Sequence, residues 1–499
     1  MRDGQHGARL PAWQGHARGG PGGRPRHLRR ADRRGRQGRA VGAHGGRSPR
    51  DLDGLDRRQD HDRPEPQHGA RGARRGGRQG ARTRHGRPLS VHIEPFRGYR
   101  YAVGTSRDVS SAVAPPYDQI SPATQERLYA MSPENIVRVT FARDERGVDK
   151  YARAREVLDA WLTRGIWRRE ERPAIYPYTQ TYRVGGRSVT RRGFVTLGEV
   201  SEYKHGRVLP HERTHAGPKK DRLDLLTATR ADLGLLFMLV SDPEGELLRA
   251  TAPEGEPISE ARDLQGELHR LWRITDEARV AHLQELMEPR PVIIADGHHR
   301  YETAVEYARR HPEATAKLMA FFTLEAPGLT IFPNHRLVRN VERFDLDGLL
   351  SAARQWFEVA PLPDPIAFHP ANRTIGVVAG ADAAVVTLRP DRLDRIAWPA
   401  GTSRAWRELA VSILHEGLLK PLLGITDAKL DARTHVDYTP DQGEAVRLAR
   451  AGAYQAAFLI APTTPEELQT VVRGGELLPQ KSTHFYPKLL DGLVFHRLD

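Results

Sequence analysis

Val292-Ile293-Ile294-Ala295-Asp296-Gly297-His298-His299-Arg300-Tyr301-Glu302-Thr303-Ala304 decides the reading of this chain. The apolar run Val292–Ala295 reads as a buried strand, and Asp296-Gly297 as a turn pair. A helix follows at once, because Tyr301, Ala304, Val305 and Ala308 recur at helical spacing and Pro312 marks its end. Gly297, His298, His299 and Arg300 therefore stand at a helix N-terminus, where unpaired N–H groups and the positive end of the dipole make an anion site. Arg300 adds a planar clamp for phosphate, and the expectation is phosphate binding here.

Outward from this point the chain alternates strands and helices. Helices are expected from Ser121-Pro122, at 149–164, 221–230, 276–288, 346–357, 404–419, 441–451 and 465–473. Strands are expected at 174–176, 179–182, 194–197, 233–240, 318–324, 374–379, 384–388 and 456–460, with a hairpin at Gly185-Gly186 and a loop over 242–257. The class is α+β, that is mixed α/β, with a main domain over 89–345, a second α/β region over 346–475, and a C-terminal segment over 476–499 that returns to the site.

Charge and composition bound the function. The chain has 499 residues, 77 Lys+Arg against 63 Asp+Glu, and no Cys. Disulfides, thiolate nucleophiles and cysteine metal sites are excluded. Residues 1–88 hold 23 Arg, no Lys and 8 Asp+Glu, a charge of +15; the remaining 54 Lys+Arg and 55 Asp+Glu give −1. That first stretch has no Ile, Phe or Tyr, so it is expected to be a disordered Arg/Gly-rich extension. A mis-assigned start upstream of Leu89 or Val91, an inert extension and a nucleic-acid arm are its three readings. The balanced charge of residues 89–499 argues against nucleic acid there. The longest apolar run, Leu235 to Val240, is too short to span a bilayer, and a cytoplasmic location is expected.

Two further clusters carry chemistry. The first is Val208-Leu209-Pro210-His211-Glu212-Arg213-Thr214-His215-Ala216-Gly217-Pro218-Lys219-Lys220-Asp221-Arg222. It spells H-E-x-x-H, but Pro210 and Gly217-Pro218 leave too little helix for a zinc peptidase, so a polar loop of acid/base and cationic groups is expected instead. The second is Leu478-Pro479-Gln480-Lys481-Ser482-Thr483-His484-Phe485-Tyr486-Pro487-Lys488, with two Lys and two hydroxyls able to close over a phosphate. Asn334-His335-Arg336 follows a strand and is a further candidate for lining the same pocket. No G-x-x-x-x-G-K-[ST] or G-x-G-x-x-G occurs.

Pro95-Phe96-Arg97-Gly98, Ala114-Pro115-Pro116-Tyr117-Asp118, His211-Glu212, Pro218-Lys219, Asp221-Arg222, Ala295 to Tyr301 and Lys481-Ser482-Thr483 together resemble a prokaryotic family, domain of unknown function 1015. The resemblance runs from about residue 93 to the C-terminus. Locally, Asp296 to Tyr301 is similar to the strand–turn–helix phosphate loop of the ParB/sulfiredoxin-like fold, which binds nucleotide phosphates. Some members of that superfamily are free-serine kinases and others are partition proteins. Sulfiredoxin chemistry needs a Cys that this chain lacks.

The resulting expectation is a phosphotransferase acting on a small hydroxylated metabolite, free serine leading, with a nucleotide or pyrophosphate as donor. Gly297, His298, His299, Arg300, Arg222, Lys481, Ser482 and Thr483 are its phosphate-binding residues. His211, Glu212, Lys219 and Asp221 are its catalytic residues, with Glu212 or Asp221 taking the hydroxyl proton. Asp296 is the expected Mg²⁺ ligand. The alternatives are a nucleotide-binding regulatory module without catalysis and a metal-dependent hydrolase or phosphatase using His211 and His215. The sequence leaves the oligomeric state open.

Overall fold

Residues 292–310 fold as a strand, Val292–Asp296, a glycine turn and a helix, His298–Arg310. Gly297 has φ +99°, a conformation that favours glycine, and a Cβ there would come within 2.8 Å of Leu236 Cδ2. Both facts fix glycine at the turn. The computed structural model describes residues 91–102, 107–145, 147–214 and 216–498, which fall within one compact unit, Arg87–Asp499. The expectations for residues 1–88 and for His215 lie outside the described residues.

The main sheet has nine strands: β1 (Ile93–Glu94), β2 (Tyr176–Val184), β3 (Arg187–Glu199), β4 (Val208–Leu209), β5 (Leu236–Val240), β6 (Ser259–Arg262), β7 (Leu268–Leu271), β8 (Val292–Asp296) and β9 (Ala316–Thr323). Their order is β4-β8-β5-β9-β3-β2-β7-β6, with β1 also on β3. β4 runs parallel to β8, and β9 parallel to β5; the other pairs are antiparallel. β5 and most of β9 are buried on both faces, so they read as continuous apolar runs. Each large side chain there, such as Phe237 or Phe321, contributes about 1.5–3 kcal/mol by burial.

The longer helices of this part of the chain are α1 (Pro122–Met131), α2 (Lys150–Thr163), α3 (Ala216–Thr229), α4 (Glu277–Met287) and α5 (His298–Arg310). Ser121, Asp149 and Asp276 cap the first, second and fourth through side-chain oxygens. The helix foreseen at 221–230 begins five residues earlier, at Ala216.

β10 (Thr330–Phe332) and β11 (His335–Val338) lead into a second, wholly antiparallel sheet with β12 (Phe357–Pro361), β13 (Thr374–Ala379), β14 (Asp382–Leu388), β15 (Val436–Thr439) and β16 (Ala456–Leu459). Its order is β12-β14-β13-β16-β11-β15. Helices α6 (Leu346–Ala353), α7 (Gln442–Arg450) and α8 (Pro465–Arg473) accompany it, and α8 opens with a capping box between Thr464 and Glu467. The chain then returns: β17 (His484–Tyr486) pairs with β10, and His496–Arg497 pairs with Ala231–Asp232.

Three local expectations are corrected. The helix foreseen at 346–357 stops at Ala353, because Phe357 is buried as the first residue of β12. The single helix foreseen at 404–419 is broken at Leu409, whose ψ of 133° is extended, and continues through a π-turn at His415–Leu419. The loop foreseen at 242–257 contains a short helix, Glu246–Ala250, capped by the Asp242 carboxylate, which accepts from the Glu246 N–H at 3.0 Å.

Candidate active site

The parallel pairing of β4 with β8 aligns Val208 with Val292 and Leu209 with Ile293. His211, two residues beyond β4, is thereby delivered beside the first turn of α5. Its Nδ1 lies 2.6 Å from the Ile294 carbonyl, an acceptor, so that nitrogen carries the proton. Its Nε2 then accepts from the Thr483 hydroxyl at 2.9 Å. The backbone N–H of His211 donates to His298 Nε2 at 3.2 Å, which leaves the His298 proton on Nδ1, 4.0 Å from Glu212 Oε1. Burial, with the neighbouring His211, drives His298 down to about 3, so it is neutral at physiological pH. Burial also pushes the Glu212 carboxyl up, but the fields of His211, His298 and Lys481 outweigh it and hold Glu212 below the usual range.

The other wall is the strap of residues 480–488, held by its backbone. The Asn334 amide donates to the carbonyls of Lys481 at 3.1 Å and Thr483 at 3.0 Å. Gln180 donates to the Lys488 carbonyl at 2.9 Å. Two arginines with 0% exposure complete the clamp. Arg191 donates to the carbonyls of Tyr486 at 3.1 Å and Pro487 at 2.7 Å, and its guanidinium lies on the rings of Phe237 and Phe322. Arg336 donates to the Gln480 carbonyl at 3.2 Å. Neither has a carboxylate partner among the described residues, and burial lowers each only to about 10, so both stay charged.

This clamp places Lys488 Nζ 3.0 Å from Asp296 Oδ1, while Arg300 Nη2 lies 3.0 Å from Asp296 Oδ2. Burial would raise the Asp296 carboxyl, but Lys488 and Arg300 hold it far below the carboxylate range. With a cation on each oxygen, Asp296 does not fit the role of Mg²⁺ ligand foreseen for it, because a divalent ion there would face two ammonium-type charges. Among the described residues no group of three or more His, Asp or Glu is arranged to hold a metal. His484 also faces Lys488, and burial and that charge lower it to about 3. Lys481 is held at φ +56°, a strained setting for a side-chain-bearing residue.

His211, Glu212, Gly297, His298, Lys481 and Thr483 thus gather around the start of α5. Ser482 is buried, and its hydroxyl donates to the Pro479 carbonyl within the strap. His299 lies on the first turn, where its carbonyl accepts from the Thr303 hydroxyl. Lys219 turns away and pairs with Glu302, which also accepts from Thr214. Asp221 is bound by Lys150 at 3.0 Å, by the Tyr151 hydroxyl at 2.8 Å and by Arg222. Burial raises its carboxyl, yet Arg222, Lys150 and Tyr151 bring it down to about 2.

Beyond Arg300 lies a small chamber of about 50 Å³, lined among others by Tyr117, Arg222, Gly234, Arg300, Lys317 and Asp491. Arg222 stacks 4.1 Å above the Tyr117 ring, which brings the Pro115-Pro116-Tyr117 segment to the chamber wall. Asp491 is not assigned from sequence, and Lys488 enters there only as the second lysine of the C-terminal cluster. The signal was present for both: Asp491 interrupts the apolar run Leu489 to Phe495, and Lys488 ends the quoted C-terminal cluster.

Among solved structures, a conserved hypothetical protein from Pyrococcus furiosus is 12% identical, covering 58% of this chain and 92% of its own, with a TM-score of 0.31. A free serine kinase variant in complex with ADP is 12% identical over 57% of this chain and 89% of its own, also at 0.31. C-terminally truncated SbnI from Staphylococcus aureus is 11% identical over 60% and 85%, at 0.32. At such scores these likenesses carry no argument about function. No curated protein matches the sequence. A family model described as a protein of unknown function, DUF1015, matches residues 93–412, which take in the Pro-Pro-Tyr segment, the His211 loop and the whole β8–α5 turn. The chain belongs to the DUF1015 family.

Proposed function

We propose that this protein is a phosphotransferase that moves a phosphoryl group from a nucleotide or pyrophosphate to a small hydroxylated metabolite, free serine being the leading case. The observation that carries the reading is the meeting of three segments, at residues 211–212, 297–300 and 481–488, on one helix N-terminus. There the first-turn N–H groups, the helix dipole, Lys481 and Lys488 all favour an anion. The likeness of the β8–α5 turn to a ParB/sulfiredoxin-like phosphate loop agrees with this.

Phosphoryl transfer asks mainly for positioning and for positive charge around the transferred group. Lys481 and Lys488 supply that charge, and Asp296 orients Lys488 through its 3.0 Å contact. Neutral His298 offers its Nδ1 proton as a hydrogen bond rather than a charge. The reading gives the hydroxyl proton to a carboxylate of the site. Asp221 is withdrawn by its three partners, and Glu212 is held below the usual carboxylate range by Lys481 and the two neighbouring imidazoles.

The test is a thermal-shift series on the full chain with ATP, ADP and pyrophosphate. A ligand that binds only the folded state raises the melting temperature by mass action. The expected result is a rise with at least one donor that is lost in Lys481→Ala and Lys488→Ala. No rise at millimolar donor with well-folded protein would end the phosphotransferase reading.

A further inference from the structure

Asp491 is 5% exposed and makes no hydrogen bond or ion pair with any described side chain. Only its backbone is engaged, in a two-way pairing with Ala114 at 2.9 and 3.1 Å. Every cation around it already has a partner. Arg222 is bound to Asp221 and donates to the Thr140 carbonyl at 2.8 Å. Arg300 is bound to Asp296 and donates to the Leu235 carbonyl at 2.6 Å. Lys317 is bound to Asp232 and donates to the Gly234 carbonyl at 3.1 Å. The carboxyl that lacks a partner faces the chamber.

The chamber has a built-in gap. A Cβ on Gly234 would stand 3.4 Å from Asp491 Oδ1 and 3.2 Å from Arg300 Nη1. Gly234 is not among the positive-φ glycines, so its missing side chain is a matter of space rather than backbone conformation. The volume of about 50 Å³ holds roughly four water-sized groups at 10–15 Å³ each. That admits the hydroxyl-bearing end of a small compound and excludes a nucleotide.

We infer that this chamber is the acceptor subsite, taking a small hydroxyl compound, and that Asp491 is the carboxylate that removes its proton. The inference rests on the phosphotransferase reading and names the base that reading needs. In the step, the O–H bond of the acceptor breaks and its proton passes to Asp491. The oxygen forms a bond to the terminal phosphorus of the donor, a nucleotide or pyrophosphate. The bond from that phosphorus to its bridging oxygen breaks, and the shortened donor leaves with the electron pair. Arg300 belongs to both places, since it lines the chamber and stands on the first turn of α5.

The charges that face Asp491 suit the task. Arg300 on α5, Arg222 on α3, Lys317 on β9 and Asp118 beyond Tyr117 are the groups that act on it. Burial pushes its carboxyl up to about 7, Asp118 adds to this, and the three cations only partly oppose it. A base works best when its proton affinity matches the working pH, which neither Asp221 nor Glu212 achieves.

The experiment uses the full chain, with ATP and pyrophosphate as donors. Serine, glycerol, glycerate and water are the acceptors. Donor binding is read by thermal shift and transfer by the product formed, for the parent, Asp491→Asn and Gly234→Ala. The expected result is an unchanged donor shift in Asp491→Asn with transfer lower by on the order of 10²–10⁴-fold, and loss of the acidic limb of the pH profile. Gly234→Ala, which fills the gap and leaves the carboxyl group itself in place, should raise KM for the acceptor more than it lowers kcat. Transfer by Asp491→Asn within about threefold of the parent, with the same pH profile, would overturn the role of Asp491 and leave the phosphotransferase reading standing. Donor binding without transfer to any acceptor, water included, would overturn the subsite. Absence of a donor shift in the parent would overturn both readings together.

Discussion

Replacing Asp491 by Asn tests the chamber without any ligand. Folded Asp491 keeps its proton up to about pH 7, whereas in the unfolded chain it loses it near 3.8. Between these values the folded state binds more protons than the unfolded state, so stability falls as pH rises. The loss is complete above about pH 7, where at 1.36 kcal/mol per pKa unit it amounts to about 4 kcal/mol. Asn keeps the shape of the protonated acid and cannot ionise, so the variant escapes this loss. The stability difference between variant and parent should therefore grow in the variant's favour by roughly 3 kcal/mol from about pH 5 to about pH 8.5. For about 410 folded residues, with an unfolding entropy of roughly 2.1 cal/mol/K per residue, that is a relative rise in melting temperature of about 3 °C. Urea denaturation and thermal melts at the two pH values measure it. Parallel pH curves for parent and variant would refute the reasoning, because they would mean that Asp491 ionises normally and is neither desolvated nor unpaired.

Four other outcomes follow from the geometry. Gly297→Ala meets Leu236 Cδ2 and a left-handed backbone, and should cost about 3 kcal/mol by urea denaturation; an unchanged midpoint would mean that the turn relaxes freely. Lys488→Met should lower pyrophosphate affinity about 10- to 100-fold by calorimetry, and an equal affinity would remove Lys488 from the anion site. Arg191→Met strips donors from the Tyr486 and Pro487 carbonyls, and should cost about 2–4 kcal/mol while exposing the segment after residue 476 to limited proteolysis; parental resistance would contradict the clamp. His298, lowered to about 3, should show no imidazole titration by NMR from about pH 5 to about pH 8; a midpoint in that range would mean that it is charged when it meets an anion.

What the sequence disclosed was local. The β8–α5 turn, the opening of α1 at Ser121-Pro122 and the spans of α2 and α8 depend on neighbours a few residues apart, and each is legible as a pattern. Where the text misled, a distant contact had overruled local preference. Residues 404–419 carry a helical pattern, yet the π-turn at His415 brings its Nε2 to 3.2 Å from Arg336 Nη2, a residue 79 positions away. The same limit governs the site. Lys219 and Lys488 look alike in sequence, and only the fold sends one to Glu302 and the other to Asp296. Asp221 and Glu212 both read as bases because charge partners are invisible in a linear text. Asp491 did not read as a base at all, since its environment comes from α3, α5, β9 and the turn at Tyr117.

The strap explains why two arginines with no carboxylate partner among the described residues are fully buried. Residues 480–488 are irregular over much of their length, and the carbonyls of Gln480, Lys481, Thr483, Tyr486, Pro487 and Lys488 each accept from a buried side chain. A guanidinium carries five N–H groups in a rigid fork and can serve several carbonyls at once, which no apolar residue of that volume can do. Arg191 and Arg336 meet this need from opposite sheets, with Asn334 and Gln180 filling the positions between. Retaining the charge inside is costly, and contacts with carbonyl dipoles and the rings of Phe237 and Phe322 offset it. The consequence under the proposed phosphotransferase function is a prepared site. Lys481, Thr483 and Lys488 project from a backbone fixed on both sides, so the cationic wall stands in place before a ligand arrives. A site prepared in this way loses little conformational freedom on binding, and its charges need no reorganisation as charge develops on a transferred phosphoryl group.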